Sequence, residues 1–377
     1  MDLQSFAPGM RRCANGLGWA ILALCALGAL AAPVRAQNNF GLGPLSIRNQ
    51  FPVTLAYLTY TPEAPATLPS GTVQLRYQFE LTNTFINTQS PRANNPPVID
   101  SSVVSGGLTP ANFPATGYGA YIDVEARRHV LRLDYGLSDS LQAGLELAWV
   151  SFGGGFLDTK IQSVERFFGG LNKDRLYSGI DQYDFYVVRD GSFLRASNRP
   201  FSNVVQDPVL NLKWNLGEGG PVLPALTLKL SYKAPLQAHP TGDRALVASG
   251  GADWGYYVLL SKAVGDVVGH IQLGETHLDV APNTFANRLR HRMFGLEFRL
   301  DSDNSFLLQS VTQSSIYLHT DVPGTMDFNI SRPTDVMVVG YKHLTQSFLF
   351  ETGAIEDYNQ QRNESDITLY FSLGSRW

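Results

Sequence analysis

The sequence predicts an all-β fold, a transmembrane up-and-down antiparallel β-barrel of about twelve strands. Three observations lead to this prediction: segments in which apolar and polar residues alternate, connections that alternate between short and long, and an N-terminal export signal. Successive side chains of a strand point to opposite faces of the sheet. A strand with one apolar and one polar face therefore suits a barrel wall between lipid and a polar interior.

The N-terminus has the pattern of a cleaved secretory signal peptide that covers residues 1–36. Arg11 and Arg12 precede an apolar stretch at 17–32, and the sequence VRA at 34–36 resembles a small-residue cleavage site. The apolar stretch is shorter than the about 20 residues that a membrane-spanning helix needs, which disfavours the alternative of a membrane anchor. We therefore expect export, with the cell outer membrane as the destination.

Charge and hydropathy narrow the protein class. The 377 residues include 29 basic and 33 acidic side chains, so no basic excess exists to bind nucleic acid. A mean hydropathy of −0.08 without a second long apolar run excludes a helical membrane protein. Both cysteines, Cys13 and Cys25, lie in the signal. The rest of the chain is therefore expected to form no disulfide and no cysteine metal site.

The clearest predicted strand runs from Thr72 to Thr82, where Val, Leu, Tyr and Phe alternate with Gln, Arg and Glu. Because outward residues face lipid, we expect that replacing Leu145 or Leu228 by Arg blocks assembly of the barrel. Replacing the inward Gln142 or Thr227 by Arg is expected to have a mild effect on assembly. The further predicted strands, in chain order, lie at 121–135, 141–149, 210–216, 226–232, 256–261, 267–274, 294–300, 306–312, 336–342, 348–355 and 367–377.

The connections between these segments alternate in length. Short connections stand at 137–140, 217–220, 264–266 and 301–304, and long ones at 83–118, 151–205, 237–253, 275–290 and 314–333. Outer-membrane barrels combine tight periplasmic turns with long outside loops. We therefore expect every long loop outside and Trp377 in the periplasm. The last strand is expected to close the barrel against the first and to engage the barrel-assembly machinery.

Aromatic residues cluster near the predicted strand ends. Amphipathic rings prefer the headgroup level of a membrane, so two such rows predict a girdle in contact with outer-membrane lipid. The alternative is that they are ordinary strand aromatics. The predicted girdle comprises Tyr135, Trp214 and Trp377 near the periplasmic end and Trp149 and Tyr232 near the outer end.

A set of charged residues falls on the predicted inward face. One interpretation is a network of ion pairs that fills the barrel, and the other is a lining that selects solutes. We favour filling, because a barrel of about twelve strands is narrow. The set comprises Arg76, Glu80, Arg132, Asp134, Glu146, Lys213, Lys229, Lys233, Glu297, Arg299 and Glu351.

Residues 37–70 precede the clear strands and are interrupted by Pro44, Pro52 and Pro62. An additional strand at 53–59 would make the strand count odd, whereas single-chain bacterial barrels have an even number. We therefore predict that residues 37–70 enter the barrel as a hatch or plug and that residues 71–377 form the barrel itself.

Within the longest outside loop, the apolar period changes from two to 3.6. Ile161, Val164 and Phe168 share one face of a predicted helix, which Asp158 would cap. A single short helix is marginal in water and must pack on another surface. The two candidate surfaces are the barrel mouth and the outer-leaflet interface. We expect a lid over the mouth; the alternative is a loop helix without a gating role.

The chain resembles a bacterial family of outer-membrane barrels, DUF3187, a domain of unknown function. The resemblance is carried by four segments and covers essentially the whole chain after the signal. It implies the fold and the location but no catalytic residues. The segments are RNQFPVTLAYLTYTPE (48–63), GGGFLDTKIQSVERFFG (153–169), DPVLNLKWNL (207–216) and SGGADWGYYVLLSK (249–262).

These observations predict a passive or gated conduit for small molecules. The segment PTGD at 240–243, followed by SGG at 249–251, resembles barrels linked to aromatic-hydrocarbon catabolism, which suggests apolar or aromatic solutes. One alternative is a lipid-acting hydrolase, which would need a Ser beside a His on the outer rim. Another is a structural or surface-interaction barrel without a transport path. No catalytic motif is visible, and we predict no cofactor and no metal site.

Overall fold

The computed structural model describes residues 39–88, 99–168, 178–281, 284–318, 330, 332–357 and 365–377, so the predicted signal peptide lies outside the described residues. Among the described helices, none is long and apolar enough to cross a membrane. The strands are β1 (Val73–Asn87), β2 (Tyr118–Ser138), β3 (Leu141–Gly153), β4 (Asp184–Arg189), β5 (Ser192–Ser197), β6 (Phe201–Val205), β7 (Val209–Gly217), β8 (Ala225–Lys233), β9 (Asp253–Val264), β10 (Val267–His277), β11 (Arg288–Arg299), β12 (Asn304–Gln313), β13 (Thr334–Leu344), β14 (Phe348–Asp357) and β15 (Ile367–Arg376). The helices are η1 (Pro52–Ala56), α1 (Ser101–Ser105), η2 (Pro110–Asn112), α2 (Leu157–Phe168) and α3 (Arg244–Val247).

Twelve strands form a closed antiparallel barrel. Neighbours pair in chain order from β7 to β15, β15 pairs with β1, and the ring closes through β1, β2, β3 and back to β7. The predicted fold class is therefore confirmed. The other three strands, β4 to β6, belong to the loop after β3 and extend the wall, with β4 on β2 and β6 on β3. The alternation in the sequence predicted a long loop at 151–205 and no strand within it.

The seam between the first and last strands is closed by main-chain hydrogen bonds. The Val73 amide donates to the Trp377 carbonyl over 2.9 Å, and the Trp377 amide donates to the Val73 carbonyl over 3.1 Å. The short turns lie at this end of the barrel, including the connection at 139–140 between β2 and β3. Tight turns mark the periplasmic end of such barrels, so we call it the periplasmic end.

The two faces of the wall differ as the alternation predicts. On β7, Leu210 and Trp214 are exposed on the outside, whereas Asn211 and Lys213 are buried within. An exposed apolar exterior is the surface that lipid covers in a barrel of this kind. Of the predicted girdle, Tyr135, Trp214, Tyr232 and Trp377 are exposed on this exterior, while Trp149 is half-buried and stacks on His129 at 5.4 Å.

Residues 39–69, here called the inner segment, run through the barrel as a U-shaped loop. Its first end lies at the periplasmic end, where Asn39 Nδ2 donates to the Glu218 carbonyl in the turn after β7. Its second end lies there too, because the Thr67 hydroxyl donates to the Asp139 carbonyl. The bend of the U is η1, which is completely buried. The alternative of a wall strand at 53–59 is therefore wrong.

The outer loops close over the bend of the inner segment and form an apolar cluster rich in aromatic rings. Phe51 contacts Tyr317 at 6.4 Å between ring centroids, and Tyr57 contacts Phe285 at 6.0 Å. The inward faces of β2, β3 and β4 contribute further members, among them Phe152. A second apolar cluster lies deeper in the barrel, where Leu45 and Ile47 of the inner segment pack with inward wall residues such as Leu307.

Deleting Trp377 should lower the amount of barrel in the outer membrane. The deletion removes both main-chain hydrogen bonds to Val73 at the seam and an indole that is 64% exposed at headgroup level. The measurement is outer-membrane fractionation combined with heat-modifiable gel mobility. Trp377→Phe is the matched control because it keeps the main chain and an aromatic ring. Wild-type levels of the truncated protein would refute a role for this residue in insertion.

Candidate functional site

The candidate site is the contact between the inner segment and the inward face of the wall. In the first arm of the U, main-chain amides donate to side chains of the wall. The Glu297 carboxylate accepts from the amides of Leu42 over 2.8 Å and of Gly43 over 3.0 Å. On the adjacent side, Lys342 Nζ donates to the Pro44 carbonyl over 3.2 Å. Wall side chains therefore satisfy the polar main chain of a buried segment that has no strand partner.

Two glycines let the inner segment approach its neighbours. Gly43 has a φ of 84°, and a Cβ atom built on it would lie 2.4 Å from Cβ of Ala64 in the opposite arm. A Cβ on Gly41 would collide with the Glu297 carboxylate. Only glycine fits this combination of positive φ and close contact, so the two arms of the U touch at 43 and 64.

In the second arm, one carboxylate holds three cations. Glu63 contacts Arg132 Nη1 and Lys229 Nζ at 2.5 Å each and Lys213 Nζ at 3.8 Å. Arg132 also pairs with Asp134 at 2.8 Å. All five side chains are nearly inaccessible to solvent. Glu63 therefore joins β2, β7 and β8 to the inner segment through buried ion pairs, whose loss at one partner is strongly destabilising.

The contacts continue toward the bend. Lys233 donates to the Ala56 carbonyl over 3.1 Å and pairs with Asp253 at 2.9 Å. Asp253 in turn accepts from the Leu58 amide over 2.9 Å. The wall thus supplies a matching polar partner at each level of the second arm.

All eleven predicted inward residues lie inside the barrel, but they differ in how far they are buried. Glu146 and Arg299 are half-buried, whereas the other nine are buried. The structure pairs some of them with each other, such as Arg132 with Asp134 at 2.8 Å. It pairs others with residues outside the predicted set, such as Glu80 with Arg128 at 3.1 Å and Glu351 with Lys342 at 2.8 Å. Sequence reasoning missed Glu63, because the path of the inner segment cannot be read from alternation. It also missed Arg128 and Lys342, although both lie in predicted strands on the inward face.

Two small cavities lie beside the inner segment in the part of the barrel that the structure describes. One cavity lies between the inner segment and β1 to β3, with Ser46, Thr61, Arg76 and Arg132 in its lining, and has a volume of about 10 Å³. A second one near Arg48 has the same volume. A volume of this order holds about one water molecule. The inner segment and the inward side chains of the wall therefore fill this part of the barrel together.

A serine, a histidine and a carboxylate form a chain of hydrogen bonds under the first arm. Ser261 Oγ lies 2.6 Å from His270 Nδ1, and His270 Nε2 lies 3.1 Å from Glu297 Oε2. The same residue types serve hydrolases. Here the three side chains are buried inside the barrel, and Glu297 also binds the main chain of the inner segment. These three hydrogen-bonded side chains are therefore a structural support, far from the outer rim where a lipid hydrolase would act.

The predicted loop helix is present as α2, but its attachment differs from the expectation. Asp158 does not cap it; its carboxylate instead accepts from Asn83 Nδ2 over 3.0 Å and from the Asp181 amide over 2.9 Å. Glu125 accepts from the amides at the start of the helix. Asn83 and Glu125 lie on the outward faces of β1 and β2, so the helix begins outside the wall rather than over the mouth.

Of the three predicted lid residues, Ile161 is half-buried, and the side chains of Val164 and Phe168 lie outside the described part of the chain. In the ranges that the structure describes, no three His, Cys, Asp or Glu side chains are placed to hold a metal ion.

Solved structures show where this fold occurs. The COG4313 outer membrane channel from Pseudomonas putida F1 is similar over 85% of this chain and 100% of its own, with a TM-score of 0.51 and 13% identity. The CymD monoaromatic hydrocarbon channel is similar over 90% of this chain and 98% of its own, at 12% identity and a TM-score of 0.37. The NanC porin is similar over 80% of this chain and 98% of its own, at 9% identity and a TM-score of 0.39. The first of these likenesses shows an outer-membrane barrel fold.

No curated protein matches the sequence. The family model described as a protein of unknown function, DUF3187, matches residues 21–377, which is nearly all of the chain. The resemblance found in the four sequence segments is therefore confirmed. The chain belongs to the DUF3187 family.

Proposed function

We propose that this protein is an outer-membrane conduit for small apolar or aromatic molecules and that the inner segment is its gate. The observation that carries the proposal is that the inner segment, which is not part of the wall, fills the barrel together with side chains of the wall. Displacing that segment leaves the twelve-stranded wall intact and opens a path through it. A purely structural barrel has no need of a filling that is held by reversible polar contacts.

The composition of the interior supports the class of solute. A molecule that arrives from outside first meets the apolar cluster around Phe51, Tyr57, Phe285 and Tyr317. Aromatic rings bind other flat apolar molecules through large contact areas. Deeper in the barrel, Leu45, Ile47 and Tyr60 of the inner segment pack in a second apolar cluster with the wall. Displacing the segment would therefore expose apolar surface farther along the path of the solute. Export by a signal peptide at residues 1–36 is part of the same proposal.

A deletion can test the gate. Because the two arms touch at Gly43 and Ala64, residues 44–63 can be removed and the ends joined without stretching the chain. We expect a mostly closed wild-type protein and a continuous current through the deletion variant in planar bilayers. Removing residues 156–170, which include the whole of α2, is the matched loop control and should leave permeation unchanged. A lid at that position would instead raise the current.

The class of solute needs a separate measurement. Phenol added to the outer chamber should reduce the current that the wild-type protein carries during its open events. Glucose at the same concentration should leave that current unchanged. A barrel that stays closed in wild-type and deletion forms alike, although folded by heat-modifiable mobility, would contradict the conduit. A serine-directed fluorophosphonate probe should leave Ser261 unlabelled, because that hydroxyl is enclosed.

A further inference from the structure

Three arginines stand in one row on the outward face of β11. Arg288, Arg290 and Arg292 alternate with buried residues and are exposed on the lipid side of the wall. Below them on the same face come Phe294, which is 47% exposed, and Phe298, which is 39% exposed. The row therefore begins where the apolar exterior of this strand ends.

The position of the row matches the outer headgroup level. Arg292 lies eight residues above Leu300, the outward residue just below β11. At a rise of about 3.3 Å per residue and a tilt of about 40°, these residues span about 20 Å of height. The apolar band of such a barrel is about 25 Å tall. Trp254 and Tyr256, exposed on the nearby β9, mark the same interface.

Two of the three arginines are oriented by a single acidic side chain. Glu275 on β10 pairs with Arg288 Nε at 3.2 Å and with Arg290 Nε at 3.4 Å. His277 Nε2 lies 3.1 Å from the same carboxylate. One carboxylate among three guanidinium groups leaves an excess of two positive charges, and the side chains of Arg288 and Arg290 are still 51% and 70% exposed. Within the described ranges, both ion pairs use Nε, and the terminal nitrogens of these two side chains form no further ion pair.

We propose that this row is a binding site for the phosphate groups of a lipid in the outer leaflet. Guanidinium groups bind phosphate through two parallel hydrogen bonds, and each basic residue at a membrane surface strengthens binding of an anionic lipid. The neighbouring surface suits the rest of the molecule, because Leu273 pairs with Arg292 across the strands and is 45% exposed beside Phe294. Acyl chains pack on this apolar surface while the headgroup phosphates meet the row above it.

Native mass spectrometry of the full chain in a zwitterionic detergent tests the site, with diphosphorylated lipid A and its dephosphorylated form as probes. We expect wild type to prefer the phosphorylated probe and to lose that preference at high salt. Replacing all three residues (Arg288→Gln, Arg290→Gln and Arg292→Gln) should weaken binding of the phosphorylated probe by about ten-fold or more. Arg127→Gln, at an exposed arginine on the outward face of β2, is the matched control and should bind like wild type.

Two results would overturn the proposal. One is equal binding of the two probes by wild type, a measurement that does not depend on any variant. The other is wild-type binding of the phosphorylated probe by the triple variant. Heat-modifiable mobility verifies that the variants are folded, and Arg292→Gln alone, expected to give a smaller loss in the same direction, replaces the triple variant if the latter does not assemble. None of these outcomes depends on whether the barrel conducts.

Discussion

Replacing Glu63 by Gln should open the barrel. The substitution leaves Arg132, Lys213 and Lys229 close together in a buried site without the carboxylate that they share. Removing one partner of a buried ion pair destabilises by about 3–5 kcal/mol. Because these contacts join the inner segment to the wall, we expect the energy to be lost mainly from the seated segment. The measurement is single-channel current, in which the open fraction should rise by at least ten-fold, since about 1.4 kcal/mol corresponds to that factor.

Two companion variants sharpen this prediction. Glu218→Gln makes the same chemical change at an exposed position in the periplasmic turn and should behave like wild type. Glu63→Gln combined with Lys229→Met removes one of the unbalanced cations and should recover part of the closed state, because substitutions of residues in contact are not additive. A folded Glu63→Gln protein with wild-type current would show that the Glu63 contacts do not hold the gate.

The second large effect is expected on the outside of the wall, where Leu228→Arg should block assembly. Leu228 is exposed on the lipid side near the middle of β8. An arginine facing lipid at the midplane costs about 2–4 kcal/mol, and less toward the interfaces. Val222→Arg, in the exposed turn before β8, is the matched control and should assemble normally. Outer-membrane fractionation gives the yield of each variant, and equal yields would contradict a lipid-facing wall.

The inward Thr227 and Gln142 are the comparison positions for assembly, and both also contact the inner segment. Thr227 donates its hydroxyl hydrogen bond to the Pro65 carbonyl over 2.6 Å, and the Gln142 side chain accepts from the Leu68 amide over 3.0 Å. Both residues hold the end of the inner segment, so Arg at either position should disturb the gate. We expect such variants to reach the membrane, because the cost does not arise from lipid, but to show more current than wild type.

The barrel wall could be predicted because each strand carries its own two-residue period. The strand predicted at 367–377 has outward residues such as Leu369 and inward ones such as Thr368, and the structure keeps that division. The alternating loop lengths then indicated which end of the barrel carries the long loops. Both signals are local, and neither requires knowledge of a partner strand.

The candidate site could be predicted only in part, because its partners are distant along the chain. The inward Lys229 was identified from alternation, yet its contact with Glu63 joins residues 166 positions apart. In the same way, the capping residue of α2 is Glu125 from another strand and not the nearby Asp158. Strands β4 to β6 were missed; β4 pairs with β2 and with β5, and β6 pairs with β3, all within or beside the long loop after β3. Such contacts follow from the fold and leave no periodic pattern.

The position of both ends of the inner segment at the same opening has a topological consequence. Asn39 and Thr67 are each fixed at the periplasmic end, while the bend lies under the outer loops. A loop that has both ends on one side can enter or leave a ring without threading a chain end through it. The segment can therefore be inserted after the seam between β1 and β15 has closed. It can also withdraw toward the periplasm while the wall strands keep their register and the outer loops stay in place.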